Sequence, residues 1–128
     1  MAINHAANPD LTQQRQRVLT TALLTAADIM GLRQTLLAQT IGVSESTVSR
    51  MKQGQYLIKE DSKEWELAAL LVRLFRSLDS IVAGDKQSLR SWLQGYNTAL
   101  KAAPIELIPS ISGLNKTVDY VDAYRVRI

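Results

Sequence analysis

The stretch QTLLAQTIGVSESTVSRMKQ, residues 34–53, decides the fold. Its apolar residues fall at Leu37, Ile41, Val43, Val48 and Met51, a spacing that gives two short helices, Gln34 to Ile41 and Glu45 to Gln53, around the turn Gly42-Val43-Ser44. Small Ala38 lets the two rods cross closely, Gly42 suits a positive φ, Ser44 is placed to cap the second helix and Gly54 to close it. This is the pattern of a helix-turn-helix, in which one helix is braced at a fixed angle so that the other can enter a DNA major groove.

Seven residues fall outside that buried set and form the expected DNA-facing surface: Ser44, Glu45, Ser46, Thr47, Ser49, Arg50 and Gln53. The Arg50 fork suits guanine, the Gln53 amide suits adenine, and the hydroxyls suit base edges or phosphate oxygens. Glu45 accepts from cytosine or excludes wrong sites. Charge is the weak element. Arg50 and Lys52 stand against Glu45, so one copy binds weakly, and a homodimer on a palindromic operator is the expected remedy.

Working outward, residues 1–10 lack periodicity and read as a flexible tail, and 11–60 as the helix-turn-helix region. Within it, Val18, Leu19, Ala22, Leu23, Ala26 and Ile29 mark a first helix from Leu11, stopped at Gly31. Gln55 to Asp61 reads as a polar connection. Ser62 then caps a long helix reaching about Val82, with Trp65, Ala69, Val72, Phe75 and Ile81 among its buried candidates. The apolar stripe is wide enough to imply a central position or a dimer face, so 61–83 is a connecting core helix.

In the remainder, 84–128, Asp85 caps a short helix that Gly95 ends, and Pro104 opens one turn of helix that Pro109 cuts off after Ile108. Asn115 is the expected cap of a last helix with Val118, Val121 and Tyr124 on one face. No stretch alternates as a strand does, so the fold class is all-α: a helix-turn-helix domain followed by a small helical domain.

Composition bounds the function. The 128 residues, 46% apolar and 21% charged, can bury a core but cannot build two large independent domains. Cysteine is absent and the single histidine, His5, lies in the tail, which excludes a disulfide framework, a His-dependent triad and a zinc site with His or Cys ligands. Glu60, Asp61, Glu64 and Glu66 are interleaved with Lys59 and Lys63 and read as a solvated helix start rather than an acid/base pair. No phosphate-binding loop is present. The expectation is therefore a non-enzyme without cofactor or metal. The longest apolar stretch, Leu67 to Val72, is too short to cross a bilayer, which favours a cytoplasmic protein with no membrane partner. The net charge of +3 is too modest to identify a DNA binder alone. Trp65 and Trp92 sit at core spacing, and Tyr56 and Tyr96 read as loop closures. Tyr120 and Tyr124, with Arg125 and Arg127, are of the types enriched at protein interfaces.

Further motifs follow a recognisable order: Ser91-Trp92-Leu93, Asn97-Thr98-Ala99-Leu100, Pro104-Ile105-Glu106-Leu107-Ile108, Gly113, and Val118 through Tyr120-Val121 to Arg125. Together with the helix-turn-helix they resemble the Xre/MbcA/ParS family of antitoxins from bacterial type II toxin–antitoxin operons, over roughly Thr35 to Ile128. The resemblance implies that the C-terminal part binds a cognate toxin, often of the NAD-consuming RES type, with its end obstructing the toxin's active site. It also implies a dimer that represses its own operon. Carried onto this chain, Tyr120, Tyr124, Arg125, Arg127 and Ile128 form the expected toxin-facing end. Pro109 departs from the family pattern, in which that helix usually continues. The alternative is a stand-alone dimeric transcription regulator whose C-terminal part only dimerises, which the adjoining reading frame distinguishes. A helical adaptor without a nucleic-acid role is opposed by the polar Ser/Thr/Arg/Gln face.

Overall fold

A computed structural model describes residues 9–126 and contains, among them, seven helices and no strand. They are α1 (Pro9–Met30), α2 (Gln34–Ile41), α3 (Glu45–Lys52), α4 (Lys63–Ile81), α5 (Lys86–Gln94), α6 (Pro104–Leu107) and α7 (Ile111–Val126). One isolated antiparallel bridge, Asn97 with Ala102, closes the loop between α5 and α6. The all-α reading holds, and Pro9 and Asp10, expected to belong to a tail, are part of α1, whereas residues 1–8 lie outside the described ones.

The caps follow local chemistry. The Ser62 hydroxyl accepts from the Trp65 amide at the start of α4, and Asp85 accepts from the Gln87 amide at the start of α5. The Ser88 hydroxyl also donates to Asp85 and holds its carboxyl below the usual range. At the end of α1 the chain turns through Gly31 at φ +73°, and Arg90 from α5 donates to the carbonyls of Ile29 (2.9 Å) and Asp28 (2.8 Å). A distant cation thus bonds two of the last carbonyls at the negative end of a helix and ties the second half of the chain to the first.

Helix α4 is central. It packs on α1 and α2 on the helix-turn-helix side and on α5 and α7 on the other. Its buried residues are Ala68, Leu71, Val72, Leu74, Ser77 and Leu78, which corrects part of the expected core: Trp65, Phe75 and Ile81 are half-buried and Ala69 is exposed. Trp65 and Ala69 lie on a groove beside α1, and Ile81 lies on a cavity beside α5 and α7, which leaves these parts of the wide stripe partly open. Leu23, Met30, Leu37 and Ile41 meet this helix from one half of the chain, and Leu89, Leu93, Ile108, Leu114 and Val118 complete the same core from the other.

Two expectations outside the main helices change. The connection 55–61 is not simply polar, since Ile58 is fully buried and its amide donates to the Thr20 hydroxyl at 3.0 Å, while Glu60 pairs with Arg15 at 2.8 Å. Asn115 does not cap the last helix. Ser110 does, its hydroxyl accepting from the Gly113 amide at 3.0 Å, so α7 starts one turn earlier. Gly113 then lies inside α7 against the end of α6, where an added Cβ would stand 2.0 Å from the Leu107 carbonyl oxygen. Pro109, as expected, separates α6 from α7.

Candidate nucleic-acid and partner interfaces

The helix-turn-helix is built as its residues dictate. Gly42 takes φ +76°, and the amides of Gly42 and Val43 both donate to the Ala38 carbonyl, at 2.9 and 3.0 Å, which closes α2 tightly. Leu37, Ala38, Thr40 and Ile41 of α2 and Thr47, Val48 and Met51 of α3 are buried. Ser44 caps α3 by accepting from the Thr47 amide at 3.1 Å.

The polar surface of α3 is ordered by its own hydrogen bonds. Ser44, Glu45, Ser46, Arg50 and Gln53 are exposed and Ser49 is half-buried. Thr47 is buried, which corrects its place in the expected DNA-facing set. Its hydroxyl lies 2.9 Å from Ser44 Oγ and accepts from Arg50 Nη2 at 3.0 Å, and Ser44 Oγ is 3.0 Å from Ser46 Oγ. Arg50 can only donate, so Thr47 Oγ1 accepts from it, and the Thr47, Ser44 and Ser46 hydroxyls follow one another at hydrogen-bond distance. Thr47 therefore positions Arg50 from beneath. The signal was available in the spacing, because residues 44, 47 and 50 are three apart on a helix.

Residues outside the expected set join this surface. Gln34 donates through Nε2 to the Glu45 carbonyl at 3.1 Å and accepts from Lys52 Nζ at 3.1 Å, spanning both ends of α3. The Thr35 hydroxyl donates to Glu45 Oε1 at 3.0 Å, which holds that carboxylate at the positive end of the α3 dipole. Beyond α3, Tyr56 donates to Glu64 Oε1 at 2.5 Å. Burial, then the Glu64 hydrogen bond and charge, push its phenol up to about 12, partly opposed by the charge of Arg50. The result is a helix with one exposed guanidinium, a lysine and several hydroxyls held in place, a surface suited to base edges and phosphates.

The expected C-terminal set divides. Tyr120 stacks on Trp92 with ring centroids 6.4 Å apart and planes 15° from parallel. Tyr120 and Tyr124 line a cavity of about 260 Å³ between α5, α7 and the end of α4. Arg125 instead faces the Ser77 hydroxyl at 3.3 Å, where Ser77 also donates to Asp122 and Asp122 pairs with Arg73 at 2.5 Å. Arg125 thereby lines a second, larger groove of about 850 Å³ between α1 and α4, beside Arg15, Arg73 and Arg76 and the apolar Val18 and Trp65. Arg127 and Ile128 lie outside the described residues, as does His5. Tyr56 is half-buried as a loop closure, whereas Tyr96 is exposed. Both tryptophans rest against the core with an edge on a cavity. Among the described residues, no group of three or more Asp, Glu or His side chains converges as a metal site, and no helix is long and apolar enough to cross a membrane.

Residues 10–73 match the antitoxin Xre-like helix-turn-helix domain, which covers half of the chain. The chain belongs to the Xre-like antitoxin family. Residues 77–126 of this Xre-like antitoxin match the antitoxin Xre/MbcA/ParS C-terminal toxin-binding domain. The first match ends and the second begins within α4, the helix on which both halves pack. The Xre-like helix-turn-helix thus includes α1 to α3, and the toxin-binding domain contains Trp92, Tyr120, Tyr124 and Arg125. No curated protein matches the chain.

Proposed function

We propose that the chain is the antitoxin of a type II toxin–antitoxin pair. It neutralises a cognate toxin by direct binding through residues 77–126 and, as a homodimer in the cytoplasm, represses its own operon through α3. The toxin is of the RES type, which consumes NAD; this follows the family resemblance. The observation that carries the reading is the joining, on one central helix, of a capped helix-turn-helix with a fixed polar face to a matched toxin-binding domain.

The roles divide by residue. Arg50 reads a base edge, with Ser44, Glu45, Ser46, Ser49 and Gln53 around it contacting bases or phosphates and Thr47 positioning the guanidinium. Two copies on a two-fold operator offset the low charge of one α3. Tyr120, Tyr124 and Arg125, with Arg127 and Ile128, face the toxin. No catalytic step and no cofactor is assigned to this chain.

The test is co-expression with the protein encoded by the adjoining reading frame. The two are expected to purify together, and the antitoxin is expected to relieve growth arrest. Deleting residues 125–128 should abolish that rescue while operator binding persists. Unchanged rescue refutes the C-terminal assignment, and an adjoining product that neither binds nor harms the host leaves the stand-alone regulator as the better reading.

A further inference from the structure

We propose that the cavity between the end of α4, α5 and α7 is an anchor pocket that receives one bulky apolar side chain, of leucine, methionine or phenylalanine size, projecting from the toxin. The inference rests on the antitoxin reading and adds to it the site and the chemistry of the contact.

Three observations select this occupant. First, no charged residue lines the cavity: Leu78, Ile81 and Val82 contribute from α4, Trp92 from α5, and the remainder comes from one face of α7. A small metabolite needs a few converging polar or charged groups to orient it, and pockets for such ligands are usually about 300–1,000 Å³. A space of about 260 Å³ with aliphatic and aromatic lining instead suits a single side chain. Second, the lining is preorganised. Trp92 and Tyr120 are stacked, Leu78 and Val121 are buried in the core, and three separate helices hold the parts together, so little ordering entropy remains to be lost on binding. Third, the pocket lies wholly within the matched toxin-binding segment and opens to solvent: every lining residue falls within 77–126, and Tyr124 on its border is 51% exposed. Interfaces concentrate their energy where an anchor from one protein fills a dry pocket of the other, and aromatic residues dominate such places. The larger groove differs in kind. Its arginines Arg73, Arg76 and Arg125 call for an acidic partner, so an apolar anchor is better accommodated by the uncharged cavity.

The experiment uses the full chain and the purified product of the adjoining reading frame. Val82→Trp fills the cavity from a half-buried position after the last turn of α4, and Tyr124→Asp places a charge on the border at an exposed position. Each is expected to weaken toxin binding by about 30-fold or more, the scale of a lost hot spot, with operator binding unchanged. Thr25→Asp, at an exposed position of α1 outside both grooves, should leave toxin affinity unaltered. Full toxin affinity in a Val82→Trp chain that still melts cooperatively overturns the proposal; if that chain does not fold, full affinity in Tyr124→Asp overturns it. A Val82→Trp chain that loses self-association but keeps toxin affinity assigns the pocket to a second copy and also overturns it. If the unmodified chain fails to bind the adjoining product, the antitoxin reading falls first and takes this inference with it.

Discussion

Two glycines, Gly42 and Gly113, show how differently the halves of this molecule are specified. Gly42 is needed for its dihedral angle: it stands at φ +76° in the turn between α2 and α3, and a Cβ there meets Leu67 only at an ordinary 3.7 Å. Gly113 is needed for space, because its Cβ would collide with the Leu107 backbone. The first requirement is local and legible from neighbouring residues. The second arises only when α6 and α7 have met. The same contrast runs through the two proposed interfaces, since the polar surface of α3 proposed to face DNA comes almost wholly from one stretch of chain whereas the apolar pocket draws on α4, α5 and α7.

The second half of the molecule is most sensitive to change at Gly113. Gly113→Ala should cost about 1–3 kcal/mol by overpacking and should weaken toxin binding with it, as read by denaturant unfolding and titration with toxin. A neutral effect would mean that α6 and α7 separate easily, and that the second half is less constrained than Leu107 suggests. On the other side, Arg50→Ala should lose roughly 1–3 kcal/mol of specific operator affinity and relax preference at one base position, with folding stability little changed. An identical operator titration at fixed salt would place Arg50 outside the groove. Ser44→Ala should cost about 1 kcal/mol of stability through the lost α3 cap, and a thermal melt indistinguishable from the parent would show the cap to be dispensable.

The smallest effect lies at alkaline pH. The Tyr56 phenol is raised from 10.0 to about 12, so its contribution to stability is fully present below pH 10 and is lost as pH rises through about 12. An absorbance titration should show one tyrosine ionising near 12 that disappears in Tyr56→Phe. If the tyrosine removed by that substitution ionises near 10 instead, burial and the Glu64 hydrogen bond do not hold the phenol in its neutral form.

Much of the fold was legible because its signals are local. Gly42, Ser44, Ser62, Asp85 and Pro104 each punctuate a helix by a backbone angle, a missing donor or a side-chain acceptor, and each stands where a helix begins or ends. Reading failed where two residues competed for one local role. Asn115 and Ser110 can both cap a helix, and Ser110 takes that place because Gly113 allows α7 to begin hard against α6. Thr47 was misplaced for a related reason: a threonine on a polar face has both a methyl to bury and a hydroxyl to bond, and the neighbouring Arg50 and Ser44 supplied partners that made burial tolerable.

Periodicity, caps and breakers in the linear chain determined that it is helical, where its helices lie and which surface of α3 is polar, because all of these depend on residues within a few positions of one another. Tertiary structure alone decided which flank of α4 is covered, that Gln34 and Thr35 brace α3, that Arg90 closes the end of α1, and that Arg125 parts company with Tyr124. Those outcomes depend on contacts between elements far apart in sequence, and no local preference distinguishes among the partners that a wide apolar stripe or a long cationic side chain can find.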